Sequence, residues 1–223
     1  MTSPARRHYQ QVSAALAAAA AAPGESMEGA GPYDLMLAKL HQDKHRLKLV
    51  QSIERKADTK REILPDYADY VAGVLAGGRG AQDDVLLAVM IWRLDAGDYP
   101  GCLDIADYAL ANNWKMPDQF SRTLATVVAE DFAEAALIVL KAEQFDPQLL
   151  QRVAALTDQH DMPDQVRAKL YKAIGYALQA DPAEALPYLE RALQLFDRIG
   201  VKKDIERLQK QLGNPAGGDS AGT

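Results

Sequence analysis

Residues 82–112 read QDDVLLAVMIWRLDAGDYPGCLDIADYALAN, and their punctuation decides the fold class. After Gln82-Asp83-Asp84, the apolar residues Val85, Leu86, Val89, Met90 and Leu94 recur at helical spacing until Gly97 closes the run. A second helix follows at once, from Pro100 to Asn112, with Leu103, Ala106, Ala109 and Leu110 on one face. Two short helices joined by Ala96-Gly97-Asp98 make a helical hairpin.

Working outward, the same texture continues. Upstream, Tyr67, Tyr70, Val71, Val74 and Leu75 share a face of a helix from Asp66 to Ala76, which Gly77-Gly78-Arg79-Gly80 stops. Downstream, Met116-Pro117-Asp118 and Met162-Pro163-Asp164 are identical triplets, each expected to open a helix with Pro in its first turn. Ala133-Glu134-Ala135 and Ala183-Glu184-Ala185 are expected at the starts of second helices. Asp181-Pro182 through Leu195-Phe196 is the best match to a tetratricopeptide-like hairpin, with the small Ala185 and Ala192 where helices approach. Residues 65–212 are therefore expected to form an acidic domain of tetratricopeptide-like hairpins, an irregular helical bundle being the alternative, and 213–223 a flexible Gly-rich tail.

Composition agrees with an all-α chain. With 48% apolar and 25% charged residues, 223 residues are enough to bury a core, while 15 Gly and 11 Pro argue against a β-sandwich or barrel. A lone cysteine, Cys102, excludes an internal disulfide framework and a multi-cysteine zinc site, and is expected in the core. No run approaches the roughly 20 apolar residues of a membrane span, so a soluble protein without a membrane partner is expected.

The net charge of -6 conceals a polarity. Residues 1–61 carry 10 Lys+Arg against 6 Asp+Glu, whereas residues 62–223 carry 15 against 25. A basic head before an acidic body suits a chain that meets a polyanion at one end and protein at the other. The candidate DNA contacts are Arg6, Arg7, Lys39, Lys44, Arg46, Lys48, Arg55, Lys56, Lys60 and Arg61. Arg6 to Ala22 is an Ala-rich helix candidate whose methyls bury little area, so it is expected to fold only conditionally. From Tyr33 the chain runs without Gly or Pro to Leu64, which predicts one long basic helix of about 28 residues. Tyr33, Met36, Leu40, Leu47, Val50 and Ala57 follow a heptad, interrupted by Asp43 and Glu54, and make that helix coiled-coil-like, a route to a homo-oligomer. Residues 1–64 are thus read as a DNA-binding and oligomerisation region.

Catalytic motifs are sparse. Gly77-Gly78-Arg79-Gly80 is followed by Ala81-Gln82 where a Walker loop needs Lys-Ser/Thr, so no ATPase motif is present. His41 and His45 have metal-sharing spacing, but the residues between lack the Glu that a zinc peptidase uses as its base. Asp83 and Asp84 are weak candidates for a magnesium-dependent nuclease, with Asp95 or Asp98 of a neighbouring copy as further donors. Adjacent residues diverge by about 100° on a helix, so helix capping is the better reading of that pair.

Several ordered segments carry a family resemblance. Met1-Thr2-Ser3-Pro4-Ala5-Arg6-Arg7-His8, Gly80-Ala81-Gln82-Asp83-Asp84, Trp92-Arg93-Leu94-Asp95, Met162-Pro163-Asp164 and Gly200-Val201-Lys202-Lys203 resemble the small terminase subunit of Peduovirus-type temperate tailed phages. That resemblance implies DNA packaging in the host cytoplasm. The small subunit recognises double-stranded phage DNA at the cohesive-end region and hands it to a large ATPase subunit, often from an oligomeric ring. Proteins of this family are also described as the terminase's endonuclease subunit. A chain that itself makes the cohesive-end cut, with magnesium as cofactor, is therefore the alternative, and a protein-protein adaptor built on helical repeats is the second.

Overall fold

The computed structural model describes residues 3–20, 25–26, 28–29, 31–117 and 121–213. Among them every named element is helical, as the sequence predicts. The chain divides into two compact units, Met1–Leu124 and Ala125–Thr223. Among the described residues no helix is long and apolar enough to cross a membrane.

The first unit contains α1 (Pro4–Ala20), α2 (Gly31–Leu49), α3 (Ile53–Ile63), a 3-10 turn (Leu64–Tyr67), α4 (Ala68–Gly77), α5 (Asp84–Ala96) and α6 (Tyr99–Ala111). Residues 64 and 65, where the sequence reading drew a boundary, lie inside this unit. The Ala-rich α1 docks on α4 through Ala14 and Ala18, both buried. A Cβ on Gly77 would lie 2.7 Å from the Ala15 Cβ, so the glycine lets the two backbones close to a distance that larger residues would forbid. Small side chains bury little area each, but they let the two helices approach closely.

The predicted single helix over 33–61 is not formed. The chain turns at Val50-Gln51-Ser52, where Ser52 takes an extended conformation (φ -69, ψ 131) and its hydroxyl accepts from the Arg55 amide at 3.3 Å. Ser52 is thus an N-cap that starts α3 afresh. The heptad residues Tyr33, Met36, Leu40 and Leu47 are all buried in the unit's own core, with Leu40 at 0% exposure. Asp43, an interruption of the predicted seam, is buried with them and accepts from the Tyr67 hydroxyl at 2.7 Å. The coiled-coil reading is therefore corrected: the stripe faces the chain's own helices.

The decisive hairpin forms as read. Asp83 caps α5, Gly97 ends it in the left-handed region (φ 84), and Asp98 caps α6 by accepting from Gly101 at 3.1 Å. Cys102 is buried.

The second unit holds α7 (Leu124–Val139), α8 (Pro147–Thr157), α9 (Asp164–Ala177), α10 (Pro182–Leu195) and α11 (Lys202–Gly213). Asp181 caps α10 by accepting from Ala183 at 3.0 Å, and α10 packs on α9, with Gly175 leaving room for the Leu189 side chain. The paired triplets are not equivalent. Pro163 stands at the N-cap of α9, whereas Met116 and Pro117 lie outside any helix, ahead of α7, and Asp118 is outside the described residues. Likewise Ala183-Glu184-Ala185 opens α10, but Ala133-Glu134-Ala135 sits within α7. These short matches therefore do not set the helix layout. Of the predicted tail 213–223, Gly213 closes α11 and the remainder lies outside the described residues.

Candidate nucleic-acid interface

The corner between α2 and α3 organises the basic segment. Helix α2 runs alongside α5 in the same direction: Tyr33 lies by Asp83 and Asp84, and Leu40, His41 and Lys44 line a cleft with Leu87, Ile91 and Trp92. The chain then returns antiparallel to α5. Lys60 pairs with Asp95, the Arg61 Nε donates to the Ala96 carbonyl at 3.0 Å, and Tyr67 meets Trp92 edge to face at 5.9 Å. Ile53 lies seven residues before Lys60, roughly 10 Å along the axis.

The ten cations named from sequence fall into two groups. Four are tied into the fold. Lys39 bridges Asp43 at 3.0 Å and Asp66 at 2.9 Å, Arg46 pairs with Glu62 at 2.6 Å, Lys60 with Asp95, and Arg61 with Asp58 at 2.7 Å. Burial disfavours the Lys39 ammonium, but hydrogen bonds to Asp66 and Asp43 outweigh it and raise its pKa. Six make no ion pair among the described residues: Arg6 and Arg7 on α1, and Lys44, Lys48, Arg55 and Lys56 around the α2–α3 corner. Leu49 and Ile53 at the same corner are 73% and 87% exposed. The sequence reading missed both. Ser52, a polar cap beside β-branched residues, was the available signal that this stretch is a tip rather than mid-helix.

The acidic candidates occupy other roles. Asp83 is fully buried, with one oxygen accepting from the Leu86 amide at 2.9 Å and the other from the Tyr70 hydroxyl at 2.6 Å. Burial pushes its carboxyl up to about 6, against the lowering effect of those hydrogen bonds. Asp84 is exposed and faces Gln82, Asp95 pairs with Lys60, and Asp98 caps α6 while meeting Arg93 at 3.3 Å. No group of three or more His, Cys, Asp or Glu that could hold a metal ion occurs among the described residues. His41 and His45 are exposed on α2.

The glycine loop is also committed to the fold. The Gly80 amide donates to the Tyr108 hydroxyl at 2.9 Å, its carbonyl accepts from the Trp114 indole at 2.9 Å, and the Gly78 and Arg79 amides donate to Val74 and Ala18 carbonyls. Amides so engaged do not point at a phosphate. The loop acts as the helix stop that the sequence suggests.

The chain belongs to the phage small terminase subunit family, whose match spans residues 37–165 and so takes in the corner, the hairpin and the start of the second unit. It is 48% identical over 216 residues to the terminase endonuclease subunit of Escherichia phage P2, covering 95% of this chain and 86% of that one. A probable terminase endonuclease subunit of Haemophilus phage HP1 is 26% identical over 197 residues, covering 81% and 70%. No solved structure matches the chain.

Proposed function

We propose that this DNA-packaging terminase small subunit binds double-stranded phage DNA at the cohesive-end region through residues 1–64 and hands it to a large ATPase subunit. The observation that carries this reading is the division among the cations. Lys44, Lys48, Arg55 and Lys56 lie on the two helices either side of the Val50–Ser52 turn and make no ion pair among the described residues, with Glu54 the one carboxylate between them in sequence, while Arg46 and Lys60 are neutralised. An uncompensated cluster on an otherwise acidic chain is the footprint of a polyanion site. Arg6 and Arg7 extend it on α1, and the acidic residues beyond 65 are left to meet protein. Assembly into a homo-oligomer then uses a surface other than the buried α2 stripe. Tyr9, Val12 and Leu16, exposed in one row on α1, are the described candidate.

The names of the relatives favour a second reading, in which this chain makes the cut itself. Magnesium would then need carboxylates converging from more than one chain, because Asp83 has both oxygens engaged and only Asp84 of that pair is exposed. A gel-shift and a cleavage assay on cohesive-end DNA, each with and without the large subunit, separate the readings. Binding without cutting by the isolated chain supports recognition; cutting in magnesium that is lost in Asp84→Asn supports the nuclease.

A further inference from the structure

Charge in the second unit is unevenly spread. Residues 125–197 carry 6 Lys+Arg against 12 Asp+Glu, whereas residues 198–213, which include all of α11, carry 5 against 2. Helix α11 packs on α10 and buries Ile205 and Leu208. Lys203, Arg207 and Lys210 follow one another at i, i+4 and i+7 and so share a face, and with Glu206 and Gln211 they line one open surface hollow. All three cations are exposed. Lys203 and Lys210 make no ion pair among the described residues, and Arg207 meets only Asp204, at 3.3 Å, within the helix. Asp204 also accepts from the Tyr176 hydroxyl at 2.9 Å, which ties it to α9. Glu206 is thus the one carboxylate lining the hollow with the three cations. On one flank Arg207 and Gln211 border a second hollow with Glu143 and Asp146, which limits the basic face on that side.

We propose that this face of α11 is a second phosphate-contacting surface, on which Lys203, Arg207 and Lys210 hold the backbone of duplex DNA without reading its sequence. It rests on the reading of this chain as a DNA binder and adds a contact outside residues 1–64. The composition of the face selects the occupant. Protein interfaces centre on apolar and aromatic anchors and are depleted in Lys, whereas sugar-phosphate contacts are made by Lys and Arg and need no apolar core. None of the residues lining the hollow is apolar. Lys203 and Lys210 stand about 10 Å apart along the helix axis, a length over which a duplex presents about six phosphates. The family match ends at residue 165, so α11 belongs to a part of the chain outside that match.

The test uses the full-length protein and a duplex of about 40 base pairs, titrated at several salt concentrations. Lys203→Gln, Arg207→Gln and Lys210→Gln combined should keep the parent's helical dichroism, weaken binding at least about tenfold and lower the salt slope by about three. Lys203→Arg with Lys210→Arg should bind as the parent does. Glu206→Gln, which removes the carboxylate from the face, should tighten binding about two- to threefold, a gain that loss of structure cannot produce. Parent-like affinity and salt slope in the triple variant overturn the α11 contact and leave binding through residues 1–64 intact. Unchanged affinity when Lys44, Lys48, Arg55 and Lys56 are changed together to Ala overturns the assignment to residues 1–64, while a weakened triple variant still upholds α11. A parent that binds no duplex overturns both. Loss of large-subunit capture or of oligomer mass in the triple variant, with DNA binding unchanged, assigns the face to a protein partner and also overturns the proposal.

Discussion

The α5–α6 hairpin and the α2–α3 corner are both helix pairs joined by a few residues, and they treat their side chains in opposite ways. In the hairpin, Asp83 and Asp98 cap both helices, Gly97 supplies the turn, and Leu86, Leu103, Ile105 and Ala106 are all completely buried. At the corner one cap is made by Ser52, while Leu49, Ile53, Lys44, Lys48 and Arg55 are exposed and Lys56 is half-buried. The difference teaches how unlike two helix pairs of one unit can be: one has satisfied its groups internally, the other leaves most of its cations and two aliphatic side chains to water.

The contrast is broken most severely by cutting into the hairpin. Leu103→Ala should cost about 2–5 kcal/mol in urea unfolding, because a fully buried leucine leaves a cavity, whereas Ile53→Ala should stay within about 0.5 kcal/mol. If the two variants unfold alike, the corner is covered in solution and the comparison fails. Gly80→Ala comes next. At φ 89, with the Asn112 side chain where a methyl would go, alanine is strained, and a loss of about 1–3 kcal/mol in the same experiment is expected.

A finer contrast concerns pH. The Asp83 carboxyl is raised from 3.8 to about 6 in the fold, so the folded state binds its proton more readily than the unfolded chain. Stability from this group is fully present below about pH 4 and is lost as pH rises through 6. Asp83→Asn keeps one oxygen to accept from the Leu86 amide, turns an NH2 donor toward the Tyr70 hydroxyl oxygen and does not titrate, so the slope of melting temperature between pH 4 and 7 should flatten relative to the parent. An unaltered slope would show that other carboxylates set it. The smallest effect belongs to Arg46→Ala. Its pair with Glu62 is half-exposed on both sides, so stability should change by less than about 1 kcal/mol. DNA affinity should fall less than in Lys48→Ala, whose cation has no internal carboxylate to release.

The hairpin was legible because its signals are local. Asp83, Gly97, Asp98 and Pro100 mark both helices within a few residues, and apolar spacing supplies the faces. The corner was not, for two physical reasons. No Gly or Pro marks the break, and Ser52 is a cap only if the backbone before it leaves the helix. The stripe of Tyr33, Met36, Leu40 and Leu47 also fits a seam for a second chain as well as a face for this one, since periods of 3.5 and 3.6 residues drift apart by only about 20° per heptad. The long-range partnerships Asp43 with Tyr67 and Asp83 with Tyr70 have no sequence spacing that announces them. Of the basic residues, charge alone proposed all ten; their separation into ion-paired and free groups depends on which acids the tertiary fold brings near.

Trp114, whose indole is clasped by the Gly80 carbonyl and set edge-on to Tyr108, has a use beyond packing. It and Trp92 are the chain's two tryptophans, both are nearly buried, and both belong to the first compact unit. Tryptophan emission is therefore an optical label for that unit alone, while far-ultraviolet dichroism sums helices from the whole chain. Denaturation curves recorded with the two signals will superimpose if the chain melts as one cooperative body and separate if residues 125–223 melt independently.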